Sequence, residues 1–252
     1  MKSISVVFSV GLMLVLAIIG VMHLLRKRLP APLTEQQQNT VLGPFSFIAT
    51  LYAFLLGFVV VSLWHNFNDA GRTTSSEAET VVVLYRLSEG LPGGHTVQNT
   101  LIEYTKSVWE DEWPAMSTGA MSKKTEAVYE RLWVEGRSLA PKLAAEQALY
   151  SELVNQLSQL SRYRRDRALL LGGSMPDVMW WSLFVGGLLL LGGLYFLSIS
   201  RTRVQILVDG IVIGMLVLML YLAVEFNGPF QGDVRVSPRA FKVIETKLME
   251  FH

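Results

Sequence analysis

Four long apolar stretches, residues 4–25, 45–64, 178–199 and 204–224, constrain this chain more than any other feature. A helix rising about 1.5 Å per residue needs about 20 residues to cross a hydrocarbon core. Each stretch supplies that length. Lipid offers no hydrogen bonds to a bare backbone, so each stretch is predicted as a helix that bonds its own N–H and C=O groups. With 51% apolar and only 17% charged residues, the chain is too hydrophobic for an ordinary soluble protein. The first stretch is too long for the apolar part of a signal peptide, and Arg26, Lys27 and Arg28 follow it where small cleavage-site residues would sit. It is therefore predicted as a retained anchor.

The polar remainder narrows the function classes. A formal net charge of +1 lacks the clustered basic excess of a nucleic-acid binder, so no nucleic-acid partner is expected. With no cysteine, disulfides, thiolate metal sites and cysteine nucleophiles are excluded. His23, His65, His95 and His252 are scattered, with no HExxH pair. Glu110, Asp111 and Glu112 are consecutive, so on a helix they point in different directions and are expected to form a solvated face. No nucleophile elbow, phosphate loop or dinucleotide fingerprint is present, and an enzyme, a cofactor and a metal are not expected.

Residues 66–177 repeat their apolar positions at three and four, which predicts helices and not strands. Phe67, Gly71, Thr74, Ala78, Val81 and Tyr85 form a stripe that continues the second span as one long helix, stopping near GLPGG at residues 90–94. A second helix carries Ile102, Thr105, Trp109, Trp113 and Met116. A third carries Val128, Leu132, Trp133 and Leu139 and ends at Pro141 or just before it. A fourth, over residues 144–171, has Leu149, Leu153, Leu157 and Leu160 as its seam. Twelve basic and fifteen acidic residues between 66 and 177 describe a mixed, solvated surface. After the last span a turn-rich loop leads to Ser237 as an N-cap, Pro238 at the first helical position, and a short helix whose Phe241, Ile244, Leu248 and Phe251 pack on the bundle.

The expected architecture is an all-α membrane protein with four transmembrane helices and a helical-bundle domain inserted between the second and third. Its parts are residues 1–65 (the first two spans), 66–177 (the bundle), 178–226 (the last two spans) and 227–252 (the C-terminal loop and helix). Short-loop Lys and Arg residues set orientation. They are dense in the two connectors, as Arg26, Lys27, Arg28, Arg201 and Arg203, which places the connectors in the cytoplasm and the bundle outside it. Arg162, Arg164, Arg165 and Arg167 crowd the opposite approach to the third span, but long loops count little in this rule. Trp64, Trp180 and Trp181 mark the interface facing the bundle.

Within lipid, small residues at four-residue spacing let helices approach closely. Ala49, Ala53 and Gly57 on the second span and Gly210 and Gly214 on the fourth are the predicted helix contact, and Gly186 and Gly193 share one face of the third. Asp209 lies about one turn into the fourth span and Glu225 closes it, either as members of an ion path or as residues paired or wetted near the interface. His65, Asp69 and Arg72, at spacings of four and three, fall on one helix face at the membrane boundary. That ladder reads as a charged vestibule beside a pore or as ordinary interfacial decoration.

Several stretches together carry a resemblance: LYAFLLGFVVVSLW at 51–64, EAETVVVLYRL at 77–87, EYTKSVWEDEWP at 103–114, MPDVMWWSL at 175–183 and GPFQGDVRVSP at 228–238. In order and spacing they resemble the bacterial bestrophin-like membrane family. The resemblance implies a homo-oligomer in the bacterial plasma membrane that conducts ions, anions among them, with the second span lining the pore. Phe54 and Phe58 would then form a hydrophobic constriction. It also implies a large domain in the cytosol, opposite to the connector charges. The family pattern carries an aspartate two residues before its Pro-Phe pair; here Asn227 stands there, with Glu225 two residues earlier, while Pro229, Phe230 and Gly232 are intact. The other function class compatible with this plan is a membrane-anchored sensor or scaffold whose bundle binds a ligand or partner protein.

Overall fold

The computed structural model describes residues 13–25, 34–173, 175–196 and 202–251, and among them it is helical with no strand. In chain order the helices are α1 (Met13–Leu25), α2 (Glu35–Glu89), α3 (Gly94–Ser107), α4 (Trp113–Ser117), α5 (Lys123–Ser138), α6 (Ala144–Leu169), α7 (Asp177–Phe196), α8 (Thr202–Asn227) and α9 (Arg239–Phe251). A π-helical turn, Val108–Glu112, joins α3 to α4, and a 3-10 turn, Leu170–Gly172, follows α6. Among the described residues three helices are long and apolar enough to cross a membrane: α2, α7 and α8. Of the first expected span only Met13–Leu25 lies within the described residues; its remainder, residues 4–12, falls outside them.

The helix ends follow local chemistry. The second span was expected to begin at residue 45, yet α2 begins ten residues earlier. Thr34 and Gln37 explain this: the Thr34 N–H donates to Gln37 Oε1 at 3.0 Å and the Gln37 N–H to Thr34 Oγ1 at 3.5 Å, the reciprocal pair that nucleates a helix start. Gly93 follows α2 at φ 80°, a left-handed conformation that a side chain resists. Its neighbour Gly94 lies so close to the Ser88 carbonyl that a Cβ would overlap it.

The second bundle helix, expected as one piece, is broken by the π turn. Trp113 N–H bonds to Val108 O, five residues back. Pro114 supplies the cause, since it has no N–H for the Glu110 carbonyl. Before the turn, Val97, Leu101, Tyr104 and Thr105 are buried while Ile102 is only half-buried; in and after it, Val108, Trp113 and Met116 are buried and Trp109 is half-buried. At the start of α6, Leu143 has no side-chain acceptor. The Glu146 carboxylate instead takes the Lys142 and Leu143 N–H groups at 2.7 and 3.1 Å.

The chain forms two compact units, Met1–Trp64 with Met175–Asn227, and His65–Ser174 with Gly228–His252. In the first, α2 packs on α7 through Tyr52, whose hydroxyl donates to Leu183 O at 3.0 Å, and through Phe45 over Gly193. Trp64 meets Phe226 edge-on at 5.2 Å. The second unit buries Ala78, Val81, Leu84, Leu101, Leu132, Leu153, Leu157 and Leu160 in one core. Each such leucine removed from water contributes about 1.5–3 kcal/mol, which is what holds the amphipathic helices together. As expected, α9 joins this core through Phe241, Ile244 and Leu248. Trp113 is its anchor, donating to Val236 O at 3.0 Å and standing edge-on to Phe230 at 5.6 Å.

Candidate functional site

In the first unit, the face of α2 carrying Phe54 and Phe58 turns away from the other helices. The two rings are 65% and 73% exposed and, with Ala49, Thr50, Ala53, Gly57 and Val61, line an open groove of about 670 Å³. The apolar interior of this unit is instead supplied by Tyr52, Leu56, Val59 and Leu63. This corrects the expected helix contact. A Cβ at Gly57 or Gly214 would meet nothing within 4 Å, and one at Gly210 would meet Ile19 of α1 at 3.6 Å, ordinary contact with α1 and not with α2. The small residues that do receive a neighbour's ring are Gly186 and Gly193 of α7, under Tyr52 and Phe45. Large aromatic side chains on α2 need a flat partner, and only glycine on α7 provides one.

Asp209 is buried and accepts from the Gln205 amide at 2.9 Å; Arg201 lies outside the described residues. Glu225 is half-buried at the end of α8. Asn227 Oδ1 accepts the Met175 N–H at 3.0 Å and so ties the end of α8 to the chain entering α7. An aspartate oxygen would accept the same bond, so the departure from the family pattern leaves this contact intact.

In the second unit the ladder is partly formed. Arg72 pairs with Asp69 at 3.4 Å, with both side chains strongly exposed, and His65, also exposed, makes no ion pair with Asp69 among the described residues. An exposed pair of this kind contributes little to stability. Asn68, Gly71, Arg72, Ser75 and Ser76 border an open polar hollow of about 550 Å³. In the loop after α8, Pro229 and Phe230 are buried, and Gly232 has φ 69°. Among the described residues no three His, Asp or Glu side chains gather where they could hold a metal.

The densest chemistry lies where it was not expected. Arg167 of α6 is fully buried and forks onto Glu77 of α2, with Nε to Oε2 at 2.8 Å and Nη2 to Oε1 at 2.9 Å. Its Nη2 also reaches Glu112 Oε1 at 2.6 Å. Arg164 bridges the same Glu112 oxygen and Glu126 of α5, both at 2.7 Å. The Tyr104 hydroxyl donates to Glu77 Oε1 at 2.6 Å. Two buried carboxylates thus face two buried guanidinium groups, with the Trp113 ring 5.4 Å from Arg167. Burial pulls the Arg167 pKa down, but Glu77, Glu112 and Tyr104 more than offset it and hold the group charged. Burial and the Glu77 charge push the Tyr104 phenol well up, so it remains a donor.

Glu112 was expected on a solvated face; the π turn and its arginine partners put it in the core instead. The sequence did hold a signal. Leu153, Leu157, Leu160, Arg164 and Arg167 are spaced four, three, four and three, so the arginines continue the leucine seam inward. Glu77 likewise lies between Thr74 and Val81 on the buried stripe of α2.

A bestrophin-like domain model matches residues 12–241. No curated protein sequence matches the chain. Solved structures of a bacterial bestrophin homolog from Klebsiella pneumoniae, in point-substituted forms, share the fold. One has a TM-score of 0.69 at 18% identity, covering 95% of this chain and 98% of that chain. Another has a TM-score of 0.67 at 17% identity, covering 97% and 98%. At these identities the likeness speaks for the fold alone, while the domain match takes in most of the sequence: the chain belongs to the bestrophin-like family.

Proposed function

We propose that this protein is an oligomeric ion channel of the bacterial plasma membrane, with α2 as its pathway helix. The observation that carries this reading is the outward face of α2 in the first unit, where Phe54 and Phe58 stand exposed beside Ala53 and Gly57. Apolar rings at a constriction gate water and ions by dewetting, and small residues beside them let copies of one helix approach. Membership of the bestrophin-like family supports the same plan. The full arrangement is four spans with the bundle of residues 66–177 inserted between the second and third. Purified protein in planar bilayers is expected to pass current, with anion and cation gradients reporting selectivity. Absence of conductance across salts and voltages, from a particle of monomer mass in detergent, overturns the channel and favours a sensor or scaffold.

Orientation has two lines of support that oppose each other. The connector charges favour a bundle outside the cytoplasm, and Arg162, Arg164, Arg165 and Arg167 belong to a long segment that counts little in this rule. The family resemblance favours the cytosol. A periplasm-only reporter active after Gly94 decides for the first; one active after Leu33 decides for the second.

A further inference from the structure

We infer that the buried Glu77, Glu112, Arg164 and Arg167 network, completed by Tyr104, is the register pin of the bundle. It fixes which side of α2 faces the core, and its contribution is uniqueness of packing, not stability. The inference stands apart from the channel reading and does not need it.

At the C-terminal end of α2 hydrophobic pattern alone leaves the rotation open. Residues 81–85 read VVVLY, apolar all the way round, and Val83 is 41% exposed while Val81 and Leu84 are fully buried. Turning the helix by one residue, about 100°, would exchange one valine for another. Apolar cores of suitable volume accept such changes and lose uniqueness before they lose stability. Glu77 does not permit that exchange. Turned away from Arg167, it would leave the guanidinium with Glu112 alone and break a fork whose two bonds are 2.8 and 2.9 Å. A buried charge left without its partner is among the costliest defects in a protein interior.

The wiring ties α2 to α3, the π turn, α5 and α6. Glu77 lies on α2, Tyr104 on α3, Glu112 on the π turn, Glu126 on α5, and both arginines on α6. Arg167 reaches Glu77 and Glu112 from one planar group, so it measures the separation of three elements at once. The π turn belongs to the device, because it is what directs Glu112 inward two residues before Pro114. Buried ion networks of this kind commonly add little net stability over apolar residues of the same volume, because desolvation cancels the attraction, and here Glu112 Oε2 is buried without a hydrogen-bond partner.

The chain has no cysteine, so two introduced ones label cleanly. Spin labels at Glu79→Cys on α2 and Ser158→Cys on α6, both exposed positions, report the interhelical distance in full-length protein in detergent, diluted with unlabelled chains. The unaltered network is expected to give one narrow distance distribution. Replacing all buried members together, Glu77→Leu, Tyr104→Phe, Glu112→Leu, Arg164→Met and Arg167→Met, is expected to keep the melting temperature and to give several distances in place of one. Arg167→Lys, which keeps the charge and loses the fork, is expected to stay folded and to broaden the distribution. Unfolding of the fivefold variant, or a single narrow peak at the original distance in either variant, overturns the proposal.

Discussion

The Tyr52 ring fills the space that a Cβ would need at Gly186, while its hydroxyl donates to Leu183 O one turn away on α7. One tyrosine therefore uses both the missing side chain and a buried carbonyl on the same helix. Gly186→Ala is expected to destabilise the protein in detergent by about 1–3 kcal/mol, because ring and methyl cannot share the site. Gly57→Ala, where nothing lies within 4 Å, is expected to leave the melting temperature of a single chain unchanged. A shift in oligomer mass with Gly57→Ala at constant melting temperature would locate a subunit contact on that face.

Arg167→Ala removes a fully buried cation from between Glu77 and Glu112 and leaves both carboxylates without it. A loss of about 3–5 kcal/mol is expected in denaturant titration, the usual cost of breaking a buried pair from one side. Arg72→Ala is the control. Its pair with Asp69 is exposed, and stability is expected to stay within a few tenths of a kcal/mol.

How far this was legible before the structure depends on the kind of interaction. The long α2, the leucine seam of α6 and the docking of α9 were readable because each repeats apolar residues at helical spacing. The glycines of α7 were readable as one face, but their partner was not: nothing in Tyr52 or Phe45 taken alone says that an aromatic ring will seat on them. Ala49, Ala53 and Gly57 misled because smallness marks a surface capable of close approach without naming its neighbour. Glu112 was missed for a local reason. Assigning directions to consecutive residues assumes an unbroken α-helix, and Pro114 breaks it. Arg164 and Arg167 were counted as charges on a loop when their phase on the seam already put them inside.

The start of α6 carries an acid-sensitive contact. Backbone N–H groups of Lys142 and Leu143 bond to the Glu146 carboxylate and lower its pKa from the ordinary value. A folded pKa below the unfolded one means the contribution is fully present above the unfolded value, about 4.3, and is lost as pH falls through the folded one. The stability gap between wild type and Glu146→Ala is therefore expected to be widest near neutral pH and to narrow on acidification. A gap that stays constant down to about pH 3 would show that the carboxylate charge plays no part in the cap.

Asn227 Oδ1 accepts the Met175 N–H, a role that needs an acceptor and not a charge. Asn227→Asp is expected to preserve the thermal stability of the detergent-solubilised protein. Asn227→Ala is expected to cost about 0.5–1.5 kcal/mol, the net worth of one hydrogen bond, and more if the N–H is shut off from water. A large loss with aspartate would mean that the amide nitrogen, not the oxygen, does the holding.

The exposed face of α2 gives the sharpest functional prediction. If Phe54 and Phe58 form an apolar constriction, replacing both by alanine widens it and lowers the cost of wetting, so single-channel conductance in planar bilayers is expected to rise. Charge at the membrane boundary acts differently, by raising or lowering the local concentration of one ion sign. Asp69→Ala removes a negative charge and frees Arg72, which is expected to shift the reversal potential in a salt gradient toward anion preference; Arg72→Ala is expected to shift it the other way. His65→Ala, at a residue outside the ion pair, is expected to change neither at neutral pH. Opposite shifts from the two charged variants require that both side chains face the conducting path, since charges elsewhere on the surface are screened within about 8 Å at physiological salt. Unchanged selectivity in both would reduce the pair to decoration of the helix surface and move the search for the selectivity element to another helix.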